Sequence, residues 1–197
     1  MKYRGAKKFI LHKLKTELPP ELTYHCYAHT LDVFNAAREL CRAENIGRYE
    51  TRLVKTAALF HDAGFIRGAQ DHELKSCDIA REHLPRFDFS NAEIDRICGM
   101  IMATRIPQNP QNKLEEILCD ADLDYLGRED FYTIGKTLFA EFKTFGFVQN
   151  EREWNEVQIR FLSAHQYFTP TNIARRKPKK EKYLAELKRM SKSPKYL

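Results

Sequence analysis

The chain has 197 residues, of which 43% are hydrophobic, 12% aromatic and 30% charged. This composition excludes a disordered or low-complexity chain and supplies enough apolar residues for the core of one globular domain. No apolar run approaches the roughly 18 residues that cross a bilayer. The five cysteines are scattered singly and form no CxxC pair, which is typical of proteins in a reducing compartment. We therefore expect a cytoplasmic protein.

The net charge of +6 is concentrated near the C-terminus. Ten basic and two acidic residues lie between Arg175 and Leu197, so this segment carries +8 and the rest of the chain −2. Such a segment suits nucleic acid or anionic lipid, but it contains no nucleic-acid-binding motif and its apolar residues have helical spacing. We expect residues 1–170 to form the functional domain and residues 171–197 a basic, solvated helical tail.

Helical spacing of apolar residues dominates the whole chain, and no useful strand alternation is present. Ser90 and Glu93 form a capping-box pattern at one helix start, while Gly64 and Pro85 are expected to end helices. The pattern predicts an all-α single-domain helical bundle with helices at 6–17, 24–44, 50–63, 72–84, 90–103, 113–126, 129–144, 150–167 and 171–191.

Three distant segments combine imidazole and carboxylate groups. His61 and Asp62 end the apolar helix KTAALFHDAGF, and His29 lies in YHCYAHTLDV. Far downstream, CDADLDYLG carries three aspartates at alternate positions, which are Asp120, Asp122 and Asp124. Imidazole and carboxylate from several segments are the ligand chemistry of a divalent-metal site with open coordination positions.

Together these segments resemble the HD-domain metal-dependent phosphohydrolase superfamily, whose signature is His, then His-Asp, then a distant Asp on a helical bundle. The resemblance covers roughly residues 22–170, and IMATRIPQNP and CDADLDYLGRED are similar to an uncharacterised bacterial branch. It implies hydrolysis of a phosphate ester, such as a nucleotide or cyclic nucleotide. It also implies one divalent ion (Mn, Mg, Fe, Ni, Co or Zn), with His29, His61, Asp62 and one Asp of the downstream set as ligands.

The choice among the three aspartates follows from helix geometry and from the resemblance. At about 100° per residue, Asp122 and Asp124 flank the apolar face of their helix, whereas Asp120 lies farther out. The last Asp of the family usually follows a small or apolar residue, as Asp122 follows Ala121. We therefore choose Asp122 as the ligand and keep Asp120 as the second choice.

The resemblance also gives expectations for residues around the ligands. It places His72 beside the metal as a proton donor or a ligand of a second ion, gives Asp62 a catalytic role, and makes His25 and Glu73 supporting neighbours. Members with two metals supply additional histidines downstream, but residues 84–164 contain none, so we expect one ion. Phe65 stands where some one-metal members have Glu, which leaves the proton-transfer group open.

Arg105, the preceding Thr104 and His165 in FLSAHQYFT are the candidates for binding a small phosphorylated substrate. Arginine suits bidentate phosphate binding. The alternative function is a non-catalytic, metal-binding regulatory or sensor module of the HD type that uses the basic tail for interaction. The substrate, the metal and the oligomeric state are left open by the sequence.

Overall fold

The computed structural model describes residues 1–191, and every regular element in this range is a helix, as predicted. Three short 3₁₀ helices, at Ala63–Arg67, Leu84–Phe87 and Asp124–Gly127, follow longer helices. The α-helices are α1 Tyr3–Glu17, α2 Tyr27–Ala43, α3 Arg48–Phe60, α4 His72–His83, α5 Asn91–Ala103, α6 Lys113–Asp122, α7 Phe131–Thr144, α8 Glu151–Ala164, α9 Pro170–Arg175 and α10 Lys177–Met190.

The chain divides into two compact units, and the first, Met1–Leu123, contains α1 to α6. Helix α3 lies at its centre and packs against α1, α2, α5 and α6. Burial of the apolar faces is the main favourable contribution to such packing. The packing of these helices holds the start of α2 close to the ends of α3 and α6. Side chains from four helices are fully buried in this core, namely Ile10, Leu53, Phe60, Ile97 and Ile117.

The second unit begins at Asp124 and contains α7 to α10. Helix α10 packs against α8, and its side chains Tyr183 and Leu187 are buried, with the ring of Tyr183 stacked on that of Phe131 in α7. The expectation of a solvated terminal helix is therefore wrong for this face, because successive turns of α10 carry an aromatic and an aliphatic side chain that are buried in the second unit. The boundary near residue 170 stays a prediction. Lys192 and Lys195 of the basic tail lie outside the described residues.

The predicted helix 171–191 is interrupted at Arg176, which separates α9 from α10. Pro178 lies in the first turn of α10, where its missing N–H is tolerated, but it cannot donate to a preceding helical turn. Arg176 also directs its guanidinium to Asp124, with Nε and Nη2 at 2.8 and 3.0 Å from the two carboxylate oxygens. The proline and this ion pair explain the break.

The capping box at Ser90 is confirmed, since the Ser90 side chain accepts from the N–H of Glu93 while Glu93 accepts from the Ser90 N–H. The predicted helix 50–63 instead ends at Phe60 and continues through a turn into a 3₁₀ helix. Gly64 therefore does not end α3. It is needed because α4 approaches closely, and a Cβ at this position would collide with the carbonyl of His72.

Within residues 1–191, no helix is both long and apolar enough to cross a membrane.

Candidate metal centre

His61 lies directly after the last residue of α3, and its orientation is fixed by the end of that helix. Its Nδ1 lies 2.8 Å from the carbonyl oxygen of Ala58, and the side chain is almost fully buried. Because a carbonyl only accepts hydrogen bonds, Nδ1 carries the proton. In the neutral ring, Nε2 therefore presents its lone pair away from α3, as a metal ligand requires.

His29 and Asp122 bring two other helix ends to the same point. His29 lies in the first turn of α2 and Asp122 is the last residue of α6. The Nε2 atoms of His29 and His61 are 3.4 Å apart, and Oδ1 of Asp122 lies 3.2 and 3.4 Å from them. Among residues 1–191, these three form a group whose ligand atoms all lie within 4.8 Å of one another. We call these residues and Asp62 the candidate metal centre.

Asp62 contacts both imidazoles without joining that group of three. Its Oδ2 lies 3.2 Å from Nε2 of His61 and 3.4 Å from Nε2 of His29. The same oxygen is buried and has no hydrogen-bond partner in the described structure. A buried carboxylate oxygen without a partner is costly. A cation beside it would remove that cost, so the donor set fits a divalent metal ion.

The electrostatics of the candidate metal centre favour positive charge. Burial opposes protonation of His61, but the adjacent carboxylates of Asp62 and Asp122 hold the pKa of this imidazole well above its usual value. Burial likewise works against ionisation of the two aspartates, yet His61 lowers the pKa of Asp62 and the two histidines lower the pKa of Asp122 to about 2. The site thus stabilises two anionic carboxylates that face imidazole nitrogens.

The other two downstream aspartates lie elsewhere. Asp120 is fully buried, so its predicted place farther from the apolar face is wrong, because α2 and α5 both pack against α6. Asp124 lies beyond the end of α6, in a 3₁₀ helix where a rotation of 100° per residue no longer applies. It pairs with Arg176 and lies 3.6 Å from Arg128.

His72 lies at the start of α4 and reaches the other oxygen of Asp62. Its Nε2 is 3.5 Å from Oδ1 of Asp62, and 24% of its side chain is exposed. The ring of Phe65 lies 4.3 Å from the rings of both His72 and His25, which are themselves 6.3 Å apart, measured between ring centroids. His25 is 6.1 Å from His29, measured between ring centroids. The structure thus brings His25 and His72 to the edge of the candidate metal centre.

Glu73 and Arg105 extend the cluster outward. Glu73 is buried, with Oε1 at 3.6 Å from Nε2 of His72 and Oε2 at 3.5 Å from Nε of Arg105. Arg105 also contacts Asp71 at 2.6 Å, and 42% of its side chain is exposed. Thr104 is buried and its hydroxyl donates to the carbonyl of Ile101. Contacts of Arg105 and Thr104 with a substrate stay predictions.

His165 belongs to the second unit, where it follows the last residue of α8. Its ring lies 6.1 Å from that of Phe161 and 4.7 Å from that of Tyr167. The ammonium of Lys180 contacts both Nδ1 and the carbonyl oxygen of His165. His165 therefore packs inside the second unit. Its binding to a substrate stays a prediction.

Ser76 is a supporting residue that the sequence did not indicate. Its fully buried hydroxyl donates to the carbonyl of His61 at 2.6 Å and accepts the N–H of Gly64 at 2.7 Å. It thereby satisfies two backbone groups of the turn that carries His61 and Asp62. Its position one turn after His72 on α4 was the available signal, but a single serine in a helix has too many other uses to be selected.

Comparison with known proteins agrees with this geometry. The HD domain family matches residues 26–124, which are half of the chain and include the four residues of the candidate metal centre. A crystal structure described as a predicted HD superfamily hydrolase from an uncultured Thermotogales bacterium is similar, with a TM-score of 0.61 and 20% identity. The match covers 95% of this chain and 90% of that one. No match was found among curated proteins. The chain belongs to the HD domain family.

Proposed function

We propose that this protein is a metal-dependent phosphohydrolase that uses one divalent cation. The observation that carries the proposal is the convergence of His29, His61 and Asp122 from three helix ends, with ligand atoms within 4.8 Å of one another. The unpartnered Oδ2 of Asp62 adds a fourth donor at the same point. Four protein donors leave coordination positions open for water and substrate in a site of this type.

A divalent ion held by His29, His61, Asp62 and Asp122 would supply Lewis acidity toward a phosphoryl oxygen and would lower the pKa of water bound to it. The protein orients the donors. Hydrogen bonding to Ala58 fixes the ring of His61, and Ser76 fixes the backbone of the turn that follows. Because these supports are buried, the donor positions are set before any ligand arrives.

His72 is the group that we assign to proton transfer. Its Nε2 faces Asp62, and its side chain is partly exposed and therefore within reach of a substrate. Phe65 cannot transfer protons, but its ring packs on that of His72 and holds it beside the candidate metal centre. In this mechanism, water adds to phosphorus, the bond from phosphorus to the oxygen of the leaving group breaks, and His72 donates its proton to that oxygen. The proton that the added water loses restores the imidazolium of His72.

Arg105 is the proposed phosphate-binding side chain. Asp71 engages its Nη2 and Glu73 lies near its Nε, which leaves the N–H groups of Nη1 for a phosphoryl oxygen. The substrate is a phosphate ester of the nucleotide or cyclic-nucleotide class, in keeping with the resemblance of the sequence to phosphohydrolases. The chemistry of the site suits a monoester as well as a diester.

A hydrolysis screen with the full chain tests the proposal. The substrates are p-nitrophenyl phosphate, its bis-ester, nucleoside monophosphates and cyclic nucleotides, each with Mn²⁺, Mg²⁺, Co²⁺ or Ni²⁺. We expect turnover that a chelator abolishes and that His61→Ala lacks, with one metal ion per chain by elemental analysis. A chain that binds metal at this centre but hydrolyses none of these esters would instead be the non-catalytic regulatory or sensor module.

A further inference from the structure

A second functional feature lies on the first unit, on the surface formed by α1, α2 and α3. Basic side chains from all three helices meet there, and we call them the cation cluster, which comprises Arg4, Lys7, Arg38, Arg52 and Lys55. None of them is a ligand of the candidate metal centre. Lys55 lies in α3 and His61 follows its last residue, so these two residues are separated by six positions, or about 9 Å along a helix axis.

The two lysines at the centre of the cluster share one aromatic ring. The Nζ atoms of Lys7 and Lys55 lie 3.9 and 5.2 Å from the ring centroid of Phe34, and Nζ of Lys55 also lies 4.9 Å from that of Tyr3. Cation–π contacts of this kind offset part of the cost of removing an ammonium from water. They do not neutralise its charge. The two positive charges are therefore held close to each other.

The cluster lacks carboxylate partners. Within residues 1–191, none of its five cations forms an ion pair with Asp or Glu, although many other surface cations of this chain do. Burial lowers the pKa of Lys7 and of Lys55, and the neighbouring positive charges lower both further, with Arg38 acting on each. Like charges that are partly removed from water and have no counterion destabilise the free protein.

A groove near the cation cluster is suited to an anion. It has a volume of about 380 Å³ and is lined by Arg4, Arg52 and Tyr3, whose ring Lys55 contacts, and by Lys2, which pairs with Asp88. Unpaired cations and a groove thus occur at one place.

We propose that the cation cluster is a binding site for a compact oligophosphate anion, separate from the candidate metal centre. Three or more negative charges on one small group would match basic side chains that come from three helices, two of which lie over a single ring. The shared chemistry is the phosphate chain, which inorganic triphosphate and a nucleoside triphosphate both carry. The proposal does not depend on hydrolysis at the metal centre.

Calorimetric titration of the full chain with inorganic triphosphate, at fixed salt, tests this proposal. We expect saturable binding that Lys7→Met with Lys55→Met weakens at least about tenfold, because each lysine contributes a charge-assisted contact. The matched control is Lys15→Met with Lys136→Met, which removes the same charge from exposed positions and should leave the dissociation constant within about twofold. Arg38→Gln changes only an exposed side chain and should weaken binding about threefold.

Two further readouts separate the possible results. Without ligand, the Lys7→Met, Lys55→Met chain should unfold at no lower temperature than the parent chain, because like-charge repulsion is relieved. This variant should hydrolyse p-nitrophenyl phosphate at the same rate as the parent chain. A loss of triphosphate binding can therefore be distinguished from a loss of the proposed hydrolase activity. Equal affinity for inorganic triphosphate and a nucleoside triphosphate identifies the phosphate chain as the whole ligand, and a preference for the nucleotide adds a contact to its nucleoside.

The proposal is overturned if the parent chain does not bind triphosphate, or if all of these variants bind it as tightly as the parent chain does. It is also overturned if the chain uses these lysines to bind RNA or anionic vesicles but does not bind triphosphate.

Discussion

At the scale of single residues, Asp122 is the residue of α6 that belongs to the candidate metal centre, and its Oδ1 lies close to Nε2 of both His29 and His61. We predict that Asp122→Asn weakens metal binding by more than about tenfold, because an amide supplies no negative charge to the cation. Competition with a fluorescent chelator measures the affinity. Asp120→Asn is the control on the same helix, and a larger loss in that variant would contradict our assignment.

His72 touches Asp62 from the exposed side of the centre. We predict that His72→Gln keeps the bound metal but lowers kcat about a hundredfold, since a glutamine side chain does not transfer protons at neutral pH. Steady-state kinetics and elemental analysis of the same preparation measure both quantities. If the variant loses its metal ion, then His72 is a ligand and the proton donor must be another group.

The same residues show what the sequence could indicate. The pairing of His61 with Asp62 after an apolar helix and a second histidine upstream identified groups that the fold brings together. The position of Asp120 was misjudged because helix rotation describes only one helix, whereas burial depends on every helix that packs around it. The stacking of Phe65 on two imidazoles depends on tertiary contacts that no spacing rule contains.

At the scale of elements, Ser76 joins α4 to the turn that carries His61. We predict that Ser76→Ala lowers the free energy of unfolding by about 1–3 kcal/mol, because it leaves a buried N–H and a buried carbonyl without partners. Urea unfolding of the metal-free chain measures the loss. Ser163 is exposed, so Ser163→Ala should change this free energy by less than about 0.5 kcal/mol. If both variants lower the free energy of unfolding by the same amount, then Ser76 does not have the supporting role that we assign to it.

Element boundaries were predictable where local chemistry sets them. The capping box at Ser90 involves residues three apart and was read directly from the sequence. The end of α3 was missed, because Gly64 accommodates the close approach of α4 and does not act as a helix breaker. The break at Arg176 was missed for a related reason, since the ion pair with Asp124 joins residues 52 positions apart.

At the scale of the whole molecule, the candidate metal centre joins the start of α2 to the ends of α3 and α6. We predict that metal binding stabilises the folded chain by about 2.7 kcal/mol when the free metal concentration is a hundred times the dissociation constant. Thermal unfolding with and without a chelator measures this difference. The His61→Ala chain should unfold at the same temperature in both conditions, and a shift that persists in it would place the metal elsewhere.

The buried ammonium of Lys180 gives a way to observe opening of the second unit. It contacts the carbonyl oxygens of Leu162 and His165, whereas Lys182 and Lys188 on the same helix are exposed. An amine-acetylating reagent should therefore modify Lys182 and Lys188 quickly and Lys180 only during transient opening. The ratio of these rates, followed by peptide mass spectrometry, measures the opening free energy. Labelling of Lys180 as fast as that of Lys182 would show that α10 is detached from α8 in solution.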